Sequence, residues 1–375
     1  MKTKSIFGHL ARLLLGLVFI FSGFVKAVDP LGTTYKIEDY LKAFGGFFTD
    51  LMPLAQPAAI ALIAIEILLG ICLVTNVKTQ WTSWITLLFY LVMTPLTLYI
   101  ALTNPVSDCG CFGDALVLTN WQTFYKNVVL LILAIALLIC RKAVYPTFVW
   151  QVEWGIILLS VLLAGGFMFY NLSHLPVVDF RPYKVGNNIP ELMEFPEDAE
   201  PDQYEISFIY EKEGVEQEFD LTNYPKNDST WTFVRQNSRL IKKGYEPPIH
   251  DFEILTMDYE DITFDILESE TPVTLVVMYD LSKTERKVLD QVTDLYHNCL
   301  SRQESFYILT GAGEDDILAF CEEIEQANTS NRLTPYNHPE VVFCTCDPVT
   351  LKTIVRANPG AIVVKDGIII DKFRF

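Results

Sequence analysis

Basic residues are scarce in this chain. Its 375 residues hold 28 Lys and Arg against 46 Asp and Glu, a formal net charge of −18. No basic patch exists to neutralise phosphates, which argues against nucleic-acid binding. Charge of either sign is thin, at 20% of residues, while apolar residues make up 51%. The mean hydropathy is +0.27. A strongly acidic soluble protein should not average positive, so these figures exclude a single soluble domain and an acidic disordered chain. Also missing is a small-x-small cleavage site after the first apolar run, residues 6–25. That run is long for a secretory signal core, and the expectation is a retained membrane helix.

Dividing the chain at Leu172 resolves the conflict. Residues 1–172 carry ten bases and eight acids, a balance of +2; residues 173–375 carry eighteen and thirty-eight, a balance of −20. An apolar half is joined to an acidic, water-soluble half. A spanning helix needs about 20 predominantly apolar residues. Five segments fit: 6–25, 55–74, 81–102, 121–139 and 154–172. Arg12 interrupts the first and Glu66 the second, and Lys126 lies near the start of the fourth, where it can snorkel. Trp81, Trp84, Trp121 and Trp154 stand near segment ends, as interfacial aromatics do.

Orientation follows from Lys and Arg in short loops. Lys2, Lys4, Lys78 and the Arg141-Lys142 pair fall on one side. The 103–120 loop, on the other, has neither; the 26–54 loop holds Lys26, Lys36 and Lys42. The balance predicts a cytoplasmic N-terminus in a multi-pass inner-membrane protein. Five spans then carry residues 173–375 to the periplasmic or extracellular side, together with Cys109 and Cys111.

Residues 173–200, with Pro176, Pro182, Pro190 and Pro196, read as a linker. Two strands, 204–210 and 216–221, flank a Glu213-Gly214 turn. From Pro247 onward an alternation begins: strand 273–279, helix 283–298, strand 306–309, helix 315–327, strand 341–344, short helix 348–356, then strands 361–364 and 368–373 around Asp366-Gly367. That order is α/β. The run from Arg356 through Asn358-Pro359 to Asp366-Gly367 resembles the end of a thioredoxin-like domain, covering residues 251–375. The resemblance implies a cis Asn358–Pro359 bond ahead of a core strand. It also implies Cys-x-x-Cys after the first core strand, where this chain reads Tyr279-Asp280-Leu281-Ser282. The nucleophile of that family is missing, so its activity does not carry over at that place.

The sharpest motif is Asp108-Cys109-Gly110-Cys111-Phe112-Gly113, between the third and fourth spans. Two thiols separated by one residue can close only a small, strained ring, and strain makes a disulfide more reducible. Gly110 and Gly113 permit the tight backbone. A redox dithiol, a structural disulfide and two packed thiols all fit. A metal site is the weaker reading, because the pair supplies only two soft ligands. The motif resembles the CGCFG loop of DoxX-like membrane proteins, in particular the MauE group of methylamine-utilisation accessory proteins. Arg12 to Gly16, Phe21 to Lys26 and Ile65 to Gly70 resemble that family's first two helices. The resemblance covers about residues 5–142 and implies a role in disulfide formation or maturation of an exported partner.

Glu66 is the second candidate. A carboxyl at mid-span costs about 2.5–3.5 kcal/mol on insertion scales unless paired or protonated. It should face the bundle, as a proton carrier or polar anchor near the thiols, or as an interhelical hydrogen-bond partner of Ser22 or a Thr. Lys26 reads first as a snorkelling anchor, second as a promoter of thiolate in the nearby loop. Cys344-Thr345-Cys346 repeats the spacing on a strand, where both thiols share one face. They read as packing residues, with exchange against Cys109–Cys111 as the sharper alternative. Cys72, Cys140, Cys299 and Cys321 read as packing. The acidic stretches 191–220 and 251–270 read as solvated surface or as a dock for a basic partner.

The expected architecture is therefore a four-helix membrane bundle over 1–142, a fifth span over 143–172, an acidic linker with a β-hairpin over 173–250, and a soluble α/β thioredoxin-like domain over 251–375. The expected function is thiol–disulfide or quinone-linked redox in the cell envelope by Cys109 and Cys111, with Glu66 supporting, quinone as the cofactor, and membrane lipid and an exported or thioredoxin-like protein as partners. The alternative is a non-catalytic scaffold whose outward domain binds an exported client. A solute transporter fits less well, because no inverted repeat is visible.

Overall fold

The computed structural model describes residues 2–375 apart from 107, 146, 197, 202, 227, 243, 285 and 328–333. Six helices make up the first half: α1 (Lys2–Val28), α2 (Pro30–Phe44), α3 (Ala55–Thr75), α4 (Thr79–Thr103), α5 (Asn120–Cys140) and α6 (Trp150–Ser173). All but α2 are long and apolar enough to cross a membrane, so the five expected spans are present.

The stretch 26–54, expected as a loop, is instead mostly helical. Asp29 caps α2, its Oδ1 accepting the Gly32 N–H at 2.9 Å, and Pro30 occupies the first turn. Gly45, with φ of 64°, ends the helix, and a 3₁₀ segment (Gly46–Leu54) leads into α3.

The helices α1 and α3 pack closely at glycines. A Cβ on Gly70 would lie 2.7 Å from the Ile20 backbone nitrogen and 3.0 Å from the Gly16 carbonyl oxygen. Backbone atoms cannot rotate away as a side chain can. Gly70→Ala should therefore cost about 1–3 kcal/mol in a detergent melt of the full chain. Gly155→Ala on α6, with nothing within 4 Å, should not. Arg12, buried within α1, donates to the Leu73 carbonyl and, at 2.8 Å, to that of Val74. It thus places a positive charge on carbonyls at the C-terminal end of α3. Across α4 and α5, Asn127 Nδ2 donates to Thr97 Oγ1 at 3.2 Å.

The second half is rich in sheet. After a short helix α7 (Ile189–Met193) come β1 (Gln203–Lys212), β2 (Val215–Asp220) and β3 (Thr232–Lys242), an antiparallel sheet in the order β2-β1-β3. The expected turn is present, with positive φ at Glu213 and Gly214. The third strand extends the hairpin; Phe233 stacks edge-on against Tyr210 from the neighbouring strand.

Next come β4 (Leu255–Thr256), α8 (Thr263–Leu267), β5 (Val273–Val277), α9 (Leu289–Arg302), β6 (Ser305–Thr310), α10 (Glu314–Ala327), α11 (Pro339–Val342), β7 (Phe343–Thr345), α12 (Pro348–Ile354), β8 (Gly360–Lys365) and β9 (Ile368–Arg374). The six strands lie in the order β4-β7-β6-β5-β8-β9. The central strand β5 runs parallel to β6 and antiparallel to β8, and β6 runs parallel to β7. Every residue of β5 is buried, which explains its unbroken apolar run. Leu275 and Val277 face a core with Ile266, Leu351 and Ile354; Val276 and Met278 face one with Val292, Ile317 and Phe320. The sheet is thus covered on both faces.

Three local expectations shift. Helix α9 starts at Leu289 rather than Lys283, because Asp280 holds the preceding segment in 3₁₀ turns. Its carboxylate accepts from Ser282 Oγ at 2.6 Å and Lys283 Nζ at 2.8 Å, and its carbonyl from Thr284 Oγ1 at 3.0 Å. Pro339 opens α11 and delays β7 to Phe343. The linker 173–200 is partly core: Tyr183 and Ile189 are buried against β5 and β9. Arg181 and Lys372 both bind Asp179, at 2.8 and 2.7 Å.

Candidate functional site

The end of α1, all of α2, the loop after α4, the end of α6 and the C-terminal sheet meet at one end of the bundle. There the loop 104–119 folds back over α1. The Asp108 carboxylate accepts the Gly110 N–H at 2.7 Å and pairs with Lys36 of α2 at 2.9 Å. Tyr40 of α2 donates its hydroxyl to the Cys109 carbonyl at 2.8 Å. Gly110 and Gly113 both take positive φ, 65° and 50°, which lets the loop turn twice within six residues. Helix α2 therefore holds the motif, a role that the sequence reading did not assign to it.

The turn brings the Cys109 and Cys111 sulfurs to 3.1 Å, both as free thiols. Beneath them lies a buried polar group. Lys26 Nζ stands 2.7 and 2.9 Å from the two Glu66 carboxylate oxygens and donates to Ser22 Oγ at 2.9 Å. The Ser22 hydroxyl lies 2.8 Å from both Glu66 Oε2 and the Cys111 carbonyl, so it can donate to either. Glu66 faces the bundle as expected, hydrogen-bonded to Ser22. Lys26 is a correction: it is not a snorkelling anchor but a buried ion-pair partner, 6% exposed. Ser22 and Lys26 are four residues apart on one face of α1, a spacing that could have signalled it. Lys126 turns toward the loop, its ammonium 4.2 Å from the centroid of the Phe112 ring.

A hydrogen bond to Cys111 and, after it, burial push the Cys109 thiol above its ordinary value. Cys111 goes the other way. The hydrogen bond from Cys109 lowers it most, burial opposes, and the Lys126 and Lys26 charges lower it further. One of the two thiols is thus set up to be the thiolate.

The pair opens on a cavity of about 350 Å³ between the bundle and the C-terminal sheet. Val25, Leu62, Met93 and Leu96 give it an apolar wall, and Lys36, Tyr40, Lys352 and Arg356 a polar one. The Arg356 guanidinium reaches Asp29 Oδ2 at 2.8 Å and Asp114 at 3.7 Å. The Tyr279 and Tyr35 hydroxyls are 3.1 Å apart. The segment Tyr279 to Ser282, which lacks cysteines, therefore lies against α2. Beside it the Asn358–Pro359 bond is cis, and Asn358 Nδ2 donates to the Asp280 carbonyl at 2.6 Å.

The other thiols lie apart from the site. Cys344 and Cys346 are both in the core under β5, where burial pushes each up to about 12. Cys72, Cys140, Cys299 and Cys321 are buried. Among the described residues no group of three His, Cys, Asp or Glu is arranged to hold a metal.

Residues 4–140 match the family of methylamine utilisation protein MauE. The MauE match spans α1 to α5 and includes Lys26, Glu66, Cys109 and Cys111. Residues 204–243, the three-stranded sheet, match a domain of unknown function, DUF8463. No curated protein and no solved structure matches the chain.

Proposed function

We propose that the chain is an integral membrane accessory protein whose Cys109 and Cys111 cycle between dithiol and disulfide in the cell envelope. The MauE match over residues 4–140 supports an accessory role in a membrane. The observation that carries the redox reading is the 3.1 Å approach of the two sulfurs in the wall of a cavity, above a buried Lys26–Glu66 pair. In this reading the disulfide takes two electrons and two protons from a client dithiol, which becomes a disulfide. When the reduced pair closes again, its two electrons and two protons pass to a lipid-soluble quinone. The apolar wall of Val25, Leu62, Met93 and Leu96 fits such an acceptor, and Tyr40 and Lys36 offer polar atoms beside the thiols. The C-terminal residues 251–375 are read as a thioredoxin-like domain without the family's cysteines. The reading rests on the strand order, with β5 parallel to β6 and antiparallel to β8. It would stand on the periplasmic face of the inner membrane and cap the cavity.

The test is a thiol count on reduced protein in quinone-containing vesicles. Wild type should lose two thiols on exposure to quinone, and the Cys109→Ser/Cys111→Ser variant none. Wild type that keeps every thiol would sink the reading.

A scaffold without redox chemistry is favoured by one feature. A groove of about 430 Å³ runs beside Tyr279 to Ser282 and α10, lined by Arg286, Asp316 and Glu323. If a client is captured through the C-terminal domain, and capture survives in the double Ser variant, binding alone accounts for the protein.

A further inference from the structure

Four helices present charged or titratable groups to Cys111: Lys26 from α1, Glu66 from α3, Tyr90 from α4 and Lys126 from α5. With Ser22 they wall an enclosed space of about 30 Å³ beside its thiol. From α2, Tyr40 approaches the same pair. These charges are unequal in effect. Lys26 and Glu66 neutralise one another at 2.7 Å, and Lys36 is taken by Asp108 at 2.9 Å. Lys126 has no ion pair among the described residues; its ammonium rests on the Phe112 ring, next in sequence to Cys111. Of the two lysines that wall this space, Lys126 is therefore the one whose charge is uncompensated. Cys109 is placed differently: it is buried where Cys111 is half-buried, and it does not line that space, although the two sulfurs are 3.1 Å apart.

We propose that Cys111 is the thiolate of the reduced pair and reacts first, that Lys126 is the positioning residue that holds it ionised, and that Cys109 closes the disulfide. This rests on the redox reading above. On closure Cys111 contributes its electron pair, the Cys109 S–H bond breaks, and an S–S bond joins the two sulfurs. The acceptor gains two electrons, one proton from Cys109 and one from water, the proton that Cys111 had already released. Without Lys126, the half-buried thiolate would keep only the Cys109 hydrogen bond and the largely cancelled field of Lys26. The opposite displacements of the two thiols, Cys109 up and Cys111 down, agree with this division.

The test is site-resolved alkylation of the reduced full-length protein with iodoacetamide across a range of pH. Cys111 should be labelled at least about tenfold faster than Cys109 near neutral pH. Lys126→Met should slow Cys111 by about tenfold there, shift its profile to higher pH and leave its alkaline rate unchanged. Lys126→Arg should restore the profile, which a purely structural role would not predict. Thiolate ultraviolet absorbance of wild type against Cys111→Ser reads the same ionisation where the reagent does not reach. Faster labelling of Cys109, or a Lys126→Met profile superimposed on wild type, overturns the assignment. Loss of thiols to quinone in the presence of either result would leave the redox reading standing and this inference refuted. A Lys126-dependent Cys111 thiolate without that loss would do the reverse.

Discussion

Lys26→Met is expected to lower the stability of the full chain in detergent by about 3–5 kcal/mol, the largest effect of any single substitution at the site. Removing the ammonium leaves the Glu66 carboxylate in mid-helix with one hydroxyl, that of Ser22, for a partner. Glu66 is 3% exposed. Glu66→Leu should cost less. Lys26 lies within three residues of the end of α1, so its flexible stem can carry the charge outward once the carboxylate is gone. The double variant Lys26→Met/Glu66→Leu should recover most of the loss, because an apolar pair of similar volume leaves no stranded charge. A double-mutant cycle on thermal unfolding measures this coupling. Additive losses would show that the two side chains stabilise the bundle independently.

The two members of this pair differ in how far the sequence revealed them. A carboxyl in the middle of an apolar run has few places to go, so Glu66 was legible as a bundle-facing group. Lys26 stands at the edge of its run, where snorkelling is the ordinary fate of a lysine. Its true partner depends on the rotation of α1 against α3, which close approach at Gly16, Gly23 and Gly70 sets. Helix α2 is the reverse case. Its signals, Asp29-Pro30 at the start and Gly45 at the end, are local and were present. The segment is not apolar enough to be a span, so between two spans it reads as a loop. In the second half, alternation locates most strands but not β3 or the two-residue β4, and the start of α9 depends on Asp280 and the hydroxyls and amine that it gathers. Nothing local could show that Tyr183 and Ile189, in a proline-rich stretch, complete the core of a sheet that begins only at Leu255.

The contacts that seat the C-terminal sheet over the dithiol are the least legible, since Asp29 and Arg356 are 327 residues apart. They also have the clearest consequence for access. The cavity beside Cys109 and Cys111 is walled from one side by membrane helices and from the other by Lys352, Thr353 and Arg356. Anything larger than the cavity reaches the thiols only when that second wall moves, so in the proposed reading the clasp sets how often a protein client gains access.

Arg356→Ala is therefore expected to loosen the C-terminal sheet from the bundle without unfolding either. The guanidinium is 7% exposed and donates from Nε to Asp29 at 2.8 Å. Its charged group lies over the Tyr35 ring, 5.4 Å from the centroid. Asp29 and Asp114 are more open to water, so removing the arginine does not strand a buried anion. The cost is that of charged hydrogen bonds rather than of a broken buried pair, about 2–3 kcal/mol, or a rise in opening of about 30- to 150-fold. Hydrogen exchange reads it directly. Amides of α2 and of residues 279–284 should exchange faster by that factor, while those of β5 and β6 keep their protection. Asp29 provides an internal comparison, because its Oδ1 caps α2 while its Oδ2 takes the arginine. Asp29→Asn keeps a capping oxygen and should reproduce the Arg356→Ala pattern. Asp29→Ala should add about 1 kcal/mol of fraying at the start of α2. Protection that is unchanged in Arg356→Ala would mean that the Tyr35–Tyr279 contact and the chain connection at α6 hold the sheet in place by themselves.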